Sequence, residues 1–117
     1  MKINLGEEER KKMTVQEIFD AMPKSFQKEA AKGLSAVYQF DITGDGGGKW
    51  YAAITNGDLA VAKGEHASPS ITITMAAQDY INLTEGKLNP QMAFMTGKIK
   101  IKGDLGLGMK MQQIFKQ

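Results

Sequence analysis

The residues that could do chemistry are few, and they do not gather. The chain has one histidine, His66, in a polar loop beside Pro69, and no cysteine. A histidine metal cluster, a thiolate site, a disulfide and a cysteine nucleophile are therefore excluded. A lone loop histidine reads as solvent-exposed rather than catalytic. Asp41 and Asp45 come closest to a general acid–base pair. Asp41 is out of phase with the apolar residues around it and Asp45 sits in a glycine-rich turn, so both read as solvated. Gly103, Gly106 and Gly108 follow a strand pattern and open a helix. Their order is G-x-x-G-x-G, not that of a dinucleotide loop, and no βαβ unit precedes them. A close approach of helix and strand explains them instead. A small isomerase would need a carboxylate or a tyrosine of shifted pKa inside a cavity. Only Tyr38, Tyr51 and Tyr80 are available as tyrosines, and no acidic residue shares the apolar phase.

Composition narrows the field in the same direction. At 117 residues the chain is one domain's worth, with 15 Lys and Arg against 13 Asp and Glu and a net charge of +2. That balance is too near neutral for a nucleic-acid footprint. Hydrophobic residues at 42% and charged residues at 24% are those of an ordinary globular protein. No apolar run reaches the ~18 residues of a membrane span. Met1 to Met13 lacks the apolar stretch of a secretory signal, and Phe115-Lys116-Gln117 is not a peroxisomal address. The expected setting is cytoplasmic. Eight methionines supply flexible, polarizable groups suited to surfaces that must fit more than one shape.

The elements follow from periodicity. Residues 1–13, with Glu7-Glu8-Glu9-Arg10-Lys11-Lys12, read as a charged, frayed extension. Thr14 and Glu17 form a capping-box pair that opens a helix carrying Val15, Ile18, Phe19 and Met22, which Pro23 should end or kink. A short second helix is expected from Lys24 to Lys32, closed by Gly33. Tyr38, Phe40 and Ile42 then alternate with Gln39, Asp41 and Thr43, and Trp50, Ala52 and Ile54 return in phase after the turn Gly44–Gly48. Asn56-Gly57 signals a tight hairpin into a third strand, Asp58 to Lys63. A fourth strand, Ser70 to Met75, points Ile71, Ile73 and Met75 one way. Helical spacing takes over from Ala77 to Gly86. Asn89-Pro90 starts a short helix through Phe94, and Lys98 to Lys102 alternates lysines outward with isoleucines inward. A last helix runs from Leu105 to Phe115. The order α, α, β, β, β, β, α, α, β, α is that of an α+β layered domain.

The last helix has two apolar faces. Leu107, Met111, Ile114 and Phe115 fall within about 100° of one another, while Leu105 and Met109 lie about 160° away from Leu107. A second apolar face implies burial on both sides, a dimer contact or a cavity wall. Phe94 and Met95, just before the last strand, add bulky adaptable groups that favour a cavity.

The stretch Ile71-Thr72-Ile73, Tyr80, Gly86-Lys87-Leu88-Asn89-Pro90-Gln91, Ala93-Phe94-Met95, Gly97-Lys98, Lys100, Lys102-Gly103 and Leu105 resembles the sterol-carrier-protein-2 family. Gly33-Leu34, Val37, Gln39 to Thr43 and Lys49-Trp50 are similar to it too, so the likeness covers residues 14–117. The resemblance implies an α+β domain whose five-stranded, mainly antiparallel mixed sheet is covered by helices, with an apolar tunnel between the layers. It implies a non-catalytic carrier of fatty acids, fatty acyl-CoA or sterol-like lipids that uses neither cofactor nor metal. A lipid ligand is the expected partner, along with transient contact with a membrane surface and a lipid-metabolising enzyme. Carried over by position, Phe40, Gln91, Phe94, Leu105, Met109 and Gln112 match family positions near the tunnel; Met95 adjoins them, and alternation adds Ile42, Ile73 and Ile101. Ala76 departs from the pattern, standing where the family has a serine-type N-cap.

Physically, burying an alkyl chain yields about 0.8 kcal/mol per CH₂, enough to hold a lipid without a salt bridge or cofactor. Gln91 and Gln112 would orient a head group, unless Gln91 only caps its own helix. Two other readings stand beside the carrier: an interaction or dimerisation module using Leu105 and Met109, and a small cavity isomerase.

Overall fold

A computed structural model describes residues 14–115. The charged run 1–13 lies outside the described residues. The described chain opens on the capping box: Thr14 Oγ1 accepts from the Glu17 N–H at 3.1 Å, and Glu17 Oε1 accepts from the Thr14 N–H at 2.9 Å. Helix α1 (Val15–Ser25) buries Val15, Ile18, Phe19 and Met22. It does not stop at Met22. Pro23 lies exposed in the last turn, where its missing N–H removes a single helical hydrogen bond, and Ser25 Oγ donates to the Met22 carbonyl at 3.1 Å.

The expected helix from Lys24 to Lys32 does not form. Phe26 makes an antiparallel bridge with Phe115, and the Gln27 N–H donates to the Ile114 carbonyl at 2.6 Å. Pairing with the C-terminal end thus claims the residues that would have started the helix. The chain continues instead through a run of tight turns, from Ala30 N–H onto Gln27 O to Lys32 N–H onto Glu29 O, which buries Ala31.

Strands β1 (Ala36–Thr43), β2 (Gly48–Thr55), β3 (Asp58–Lys63), β4 (Ile71–Ala76) and β5 (Lys100–Gly103) form one sheet in the order β3-β2-β1-β4-β5. β1 and β4 run parallel and the other three pairs antiparallel. The fold is therefore the mixed, mainly antiparallel α+β arrangement that the sequence implied. Asn56 (φ 54°) and Gly57 (φ 84°) both take left-handed geometry, as the two-residue turn between β2 and β3 requires. β5 begins at Lys100 rather than Lys98, because the Lys98 and Ile99 N–H groups are spent on the Ala93 carbonyl.

Register gives the sheet one apolar face. Phe40 lies beside Trp50 on one side and Ile73 on the other, with Ile101 opposite Ile73 across the last pair. Four helices cover that face among the described residues: α1, α2 (Ala77–Thr84), α3 (Pro90–Met95) and α4 (Leu105–Ile114). Phe19 of α1 anchors the core, stacking on Trp50 at 4.7 Å and Tyr80 at 5.1 Å and meeting Phe40 edge-on at 5.1 Å. On the opposite face Gln39 is buried but satisfied: its Nε2 donates to the Trp50 and Gly64 carbonyls, both at 3.1 Å, and its Oε1 accepts from the His66 N–H at 2.8 Å. His66 is thereby tied to its loop, with Nδ1 accepting from the Ser68 N–H at 3.0 Å.

Candidate functional site

Between the sheet and the helices lies a cavity of about 190 Å³. Its floor is Phe40 of β1, Ile73 and Met75 of β4, and Ile101 of β5. Met22 comes from α1, Tyr80, Leu83 and Thr84 from α2, Pro90 and Phe94 from α3, and Gly108 and Met111 from α4, with Ile99 and Phe115 completing the wall. Among the described residues no charged side chain is part of the lining. The Thr84 hydroxyl is already engaged, donating to the Ile81 carbonyl at 2.8 Å. Burial pushes the Tyr80 phenol upward, so it stays neutral. Phe94 is 45% exposed, so the α3 side of the cavity meets solvent.

Local sequence explains how each wall is placed. Asn89 caps α3, its Oδ1 accepting from the Gln91 and Met92 N–H groups at 2.9 and 3.1 Å, and Pro90 takes the first helical position. Asp104 caps α4 through the Gly106 N–H at 2.9 Å. The Tyr38 hydroxyl donates to the Leu107 carbonyl at 2.7 Å, which fixes the rotation of α4 over the sheet. Burial, and secondarily the charge of Asp104, raises the Tyr38 phenol to about 12. Gly108 lets α4 approach the sheet closely, as the glycine pattern implied: a Cβ there would stand in contact, 3.4 Å from Ile71 Cδ1 and 3.5 Å from Ile101 Cδ1.

Of the residues singled out from sequence, the structure brings Phe40, Ile73, Phe94 and Ile101 together around the cavity. Ile42 is buried farther along β1, next to Met75, and is outside the lining. Gln91, Met95, Leu105 and Met109 are also outside it, all exposed to solvent. The reason is helical phase. α4 lays Leu107 and Ile114 on the sheet, so the face about 160° around points outward rather than into the hollow. Gln91 lies on the solvent side of a short helix, its backbone N–H already taken by Asn89. The side chain of Gln112 lies outside the described residues. Sequence reasoning passed over Met22, Met75, Tyr80, Leu83, Ile99, Met111 and Phe115 as wall residues. Their apolar spacing was visible, but spacing alone does not separate a core contact from a cavity wall.

The sequence profile of the SCP-2 sterol transfer family matches residues 15–116. The chain belongs to that family. Among curated relatives, Hydroxysteroid dehydrogenase-like protein 2 of Xenopus laevis is 39% identical over 104 residues, covering 88% of this chain and 25% of the relative. The chain thus spans about a quarter of the length of such relatives. Palmitated SCP2L2 from Aedes aegypti superposes with a TM-score of 0.69 at 24% identity, covering 90% of this chain and 96% of that one. The inverting sec-alkylsulfatase Pisa1 from Pseudomonas sp. superposes with a TM-score of 0.75 at 19% identity, over 90% of this chain and 17% of the enzyme. These likenesses show that the SCP-2 fold occurs both as most of a small protein and as a minor part of a large one.

Proposed function

We propose that this SCP-2 family domain binds and carries a lipid chain in its apolar cavity and does no chemistry on it. The observation that carries the reading is the hollow itself, lined from both the sheet and the helices and, among the described residues, without a charged group. A volume of about 190 Å³ exceeds the roughly 150 Å³ at which an engineered apolar cavity stays dry and accepts benzene, and is below the roughly 300 Å³ at which drug-sized sites begin. It suits part of a linear acyl chain, with the rest leaving past Phe94, better than a rigid sterol. Fatty acid or fatty acyl-CoA is therefore the favoured ligand class, a reading supported by the palmitated relative from Aedes aegypti. Phe40, Ile73, Phe94 and Ile101 would contact the chain. Met22, Met75 and Met111 would adjust around it, because unbranched thioether side chains change rotamer at little cost.

A carrier of this kind exchanges lipid with a membrane or hands it to an enzyme. The relatives in which the domain is a quarter of a dehydrogenase-like protein support a lipid-metabolising enzyme as the recipient. Native mass spectrometry of freshly purified protein tests the reading, with a co-purified lipid as the expected result. A ligand-free monomer that takes up no fluorescent fatty acid sinks it. A ligand-free dimer favours the second reading, association through the exposed Leu105 and Met109.

A further inference from the structure

Sulfur has one form in this chain, the thioether, and one neighbourhood in the described fold. There is no cysteine, and six of the eight methionines lie among the described residues. Met22 of α1, Met75 of β4 and Met111 of α4 line the cavity, each from a different element. Met92, Met95 and Met109 are exposed on α3 and α4, the two helices that wall it. None of the six fills the core elsewhere. Away from the hollow that work falls to rings and β-branched chains such as Phe19, Val15 and Ile54.

Packing alone does not account for methionine at the three lining positions. Leucine fills a similar volume and gives up less rotamer freedom on burial. What methionine has and leucine lacks is a nucleophilic sulfur that accepts one oxygen atom. Among the described residues the lining holds no carboxylate, imidazole or amine, so an oxidant inside it meets sulfur as the reactive group. The oxidant an apolar hollow would admit is itself a lipid. An unsaturated acyl chain that has reacted with oxygen carries its hydroperoxide on the hydrocarbon part, next to a double bond, and the hydrocarbon part is what the hollow encloses.

We propose that Met22, Met75 and Met111 reduce a hydroperoxide borne by an acyl chain held in the cavity. The thioether sulfur attacks the terminal peroxide oxygen, a sulfur–oxygen bond forms and the oxygen–oxygen bond breaks. The proton of the terminal oxygen passes to the departing oxygen, which remains on the chain as an alcohol. Sulfur is oxidised to the sulfoxide and the peroxide is reduced to the alcohol, so the step needs no further reactant. One thioether is consumed per peroxide, and restoring it takes a separate methionine sulfoxide reductase. A sulfoxide makes the wall polar, which weakens its hold on the acyl chain. The step rests on the carrier reading, since the chain must first occupy the hollow, and it leaves an unoxidised chain untouched.

The test treats the full chain with linoleic acid hydroperoxide or with hydrogen peroxide and follows each methionine by peptide-mapping mass spectrometry. Linoleic acid hydroperoxide should oxidise Met22, Met75 and Met111 about tenfold or more faster than Met95 and Met109, because only the hollow holds the chain against sulfur. Hydrogen peroxide should reverse that order, since Met95 and Met109 are 78% and 77% exposed. Palmitic acid in excess should slow the first reaction and leave the second unchanged, and each cavity sulfoxide should be matched by one hydroxy fatty acid. The double variant Met75→Leu, Met111→Leu conserves volume, so uptake of a fluorescent fatty acid should stay within about twofold of wild type while hydroxy acid per chain falls to about a third. If fatty acid is taken up but both oxidants follow one order, or palmitic acid does not protect the cavity methionines, or the variant reduces as much hydroperoxide as wild type, the peroxide chemistry is overturned and the carrier reading stands. A chain that takes up neither fatty acid nor its hydroperoxide overturns both.

Discussion

The two ends of the apolar sheet face are filled by different means. Over β1 and β2, Phe19, Trp50, Phe40 and Tyr80 form a continuous aromatic cluster with centroids 4.7–6.3 Å apart. Over β4 and β5, Ile73 and Ile101 share the wall of the hollow with Leu83, Phe94, Gly108 and Met111 from the helices. Rings lock together and exclude space; flexible methionines leave it. Phe40 and Tyr80 belong to both, one side in the cluster and the other on the hollow, so the contrast lies between Phe19 and Trp50, which are outside the lining, and Phe94, Gly108 and Met111, which are outside the cluster.

The largest effect that would break this contrast is at Phe19. Phe19→Ala should destabilise the protein by about 3–5 kcal/mol in urea unfolding, since the ring is buried against three aromatic partners. Phe94→Ala, at the other end, should cost less than about 1 kcal/mol because that ring is already half in water. Equal costs would show that the hollow end carries the fold as well.

Alkaline pH acts on the tether between the two ends. The folded pKa of Tyr38 is raised above its ordinary value of 10.0, so its contribution is fully present below pH 10 and lost as pH rises through about 12. Burial moves Tyr80 in the same direction. Urea midpoints followed from neutral pH to about pH 12 should show a loss of about 2–3 kcal/mol from Tyr38, because a phenolate is costly in that buried site and is repelled by Asp104. A flat profile would mean that Tyr38 is no harder to ionise in the fold than in the unfolded chain.

Gly108→Leu sharpens the comparison by closing the hollow from α4. Fatty-acid uptake should fall about tenfold, while unfolding free energy stays level or rises by up to about 1 kcal/mol, because a helical glycine has been removed. Uptake at the wild-type level would place the ligand elsewhere. The smallest effect concerns α2, whose first residue follows Ala76 with no side-chain cap. Ala76→Ser should add about 0.5–1 kcal/mol to stability, read from thermal or urea midpoints, and should not change uptake.

Much of the layout was legible because short-range physics sets it. Thr14 with Glu17, Asn89-Pro90 and Asn56-Gly57 each fix a local geometry through groups two or three residues apart, and each is found where the sequence put it. The alternation of Tyr38, Phe40 and Ile42 identified the buried face of β1 directly. The missing helix at Lys24 to Lys32 was not legible, since what displaces it is a bridge from Phe26 to Phe115 at the far end of the chain. The candidate site was legible on its strands and only in part on its helices. A strand's two-residue period leaves one inward choice for Ile73 and Ile101, whereas α4 offered two apolar faces and no local rule to choose between them.

By itself the sequence determined the α+β class, the order of elements apart from the helix expected at Lys24 to Lys32, the apolar face of the sheet and the absence of cysteine chemistry. It did so because periodicity, capping and composition depend on neighbours along the chain. Only the tertiary structure decided which face of α4 turns inward, that Leu105 and Met109 stay in water, and that a hollow remains between Phe94, Gly108 and Ile101. Those outcomes depend on the Tyr38–Leu107 hydrogen bond and on how residues from seven separate elements surround a shared volume. No local pattern encodes that sum.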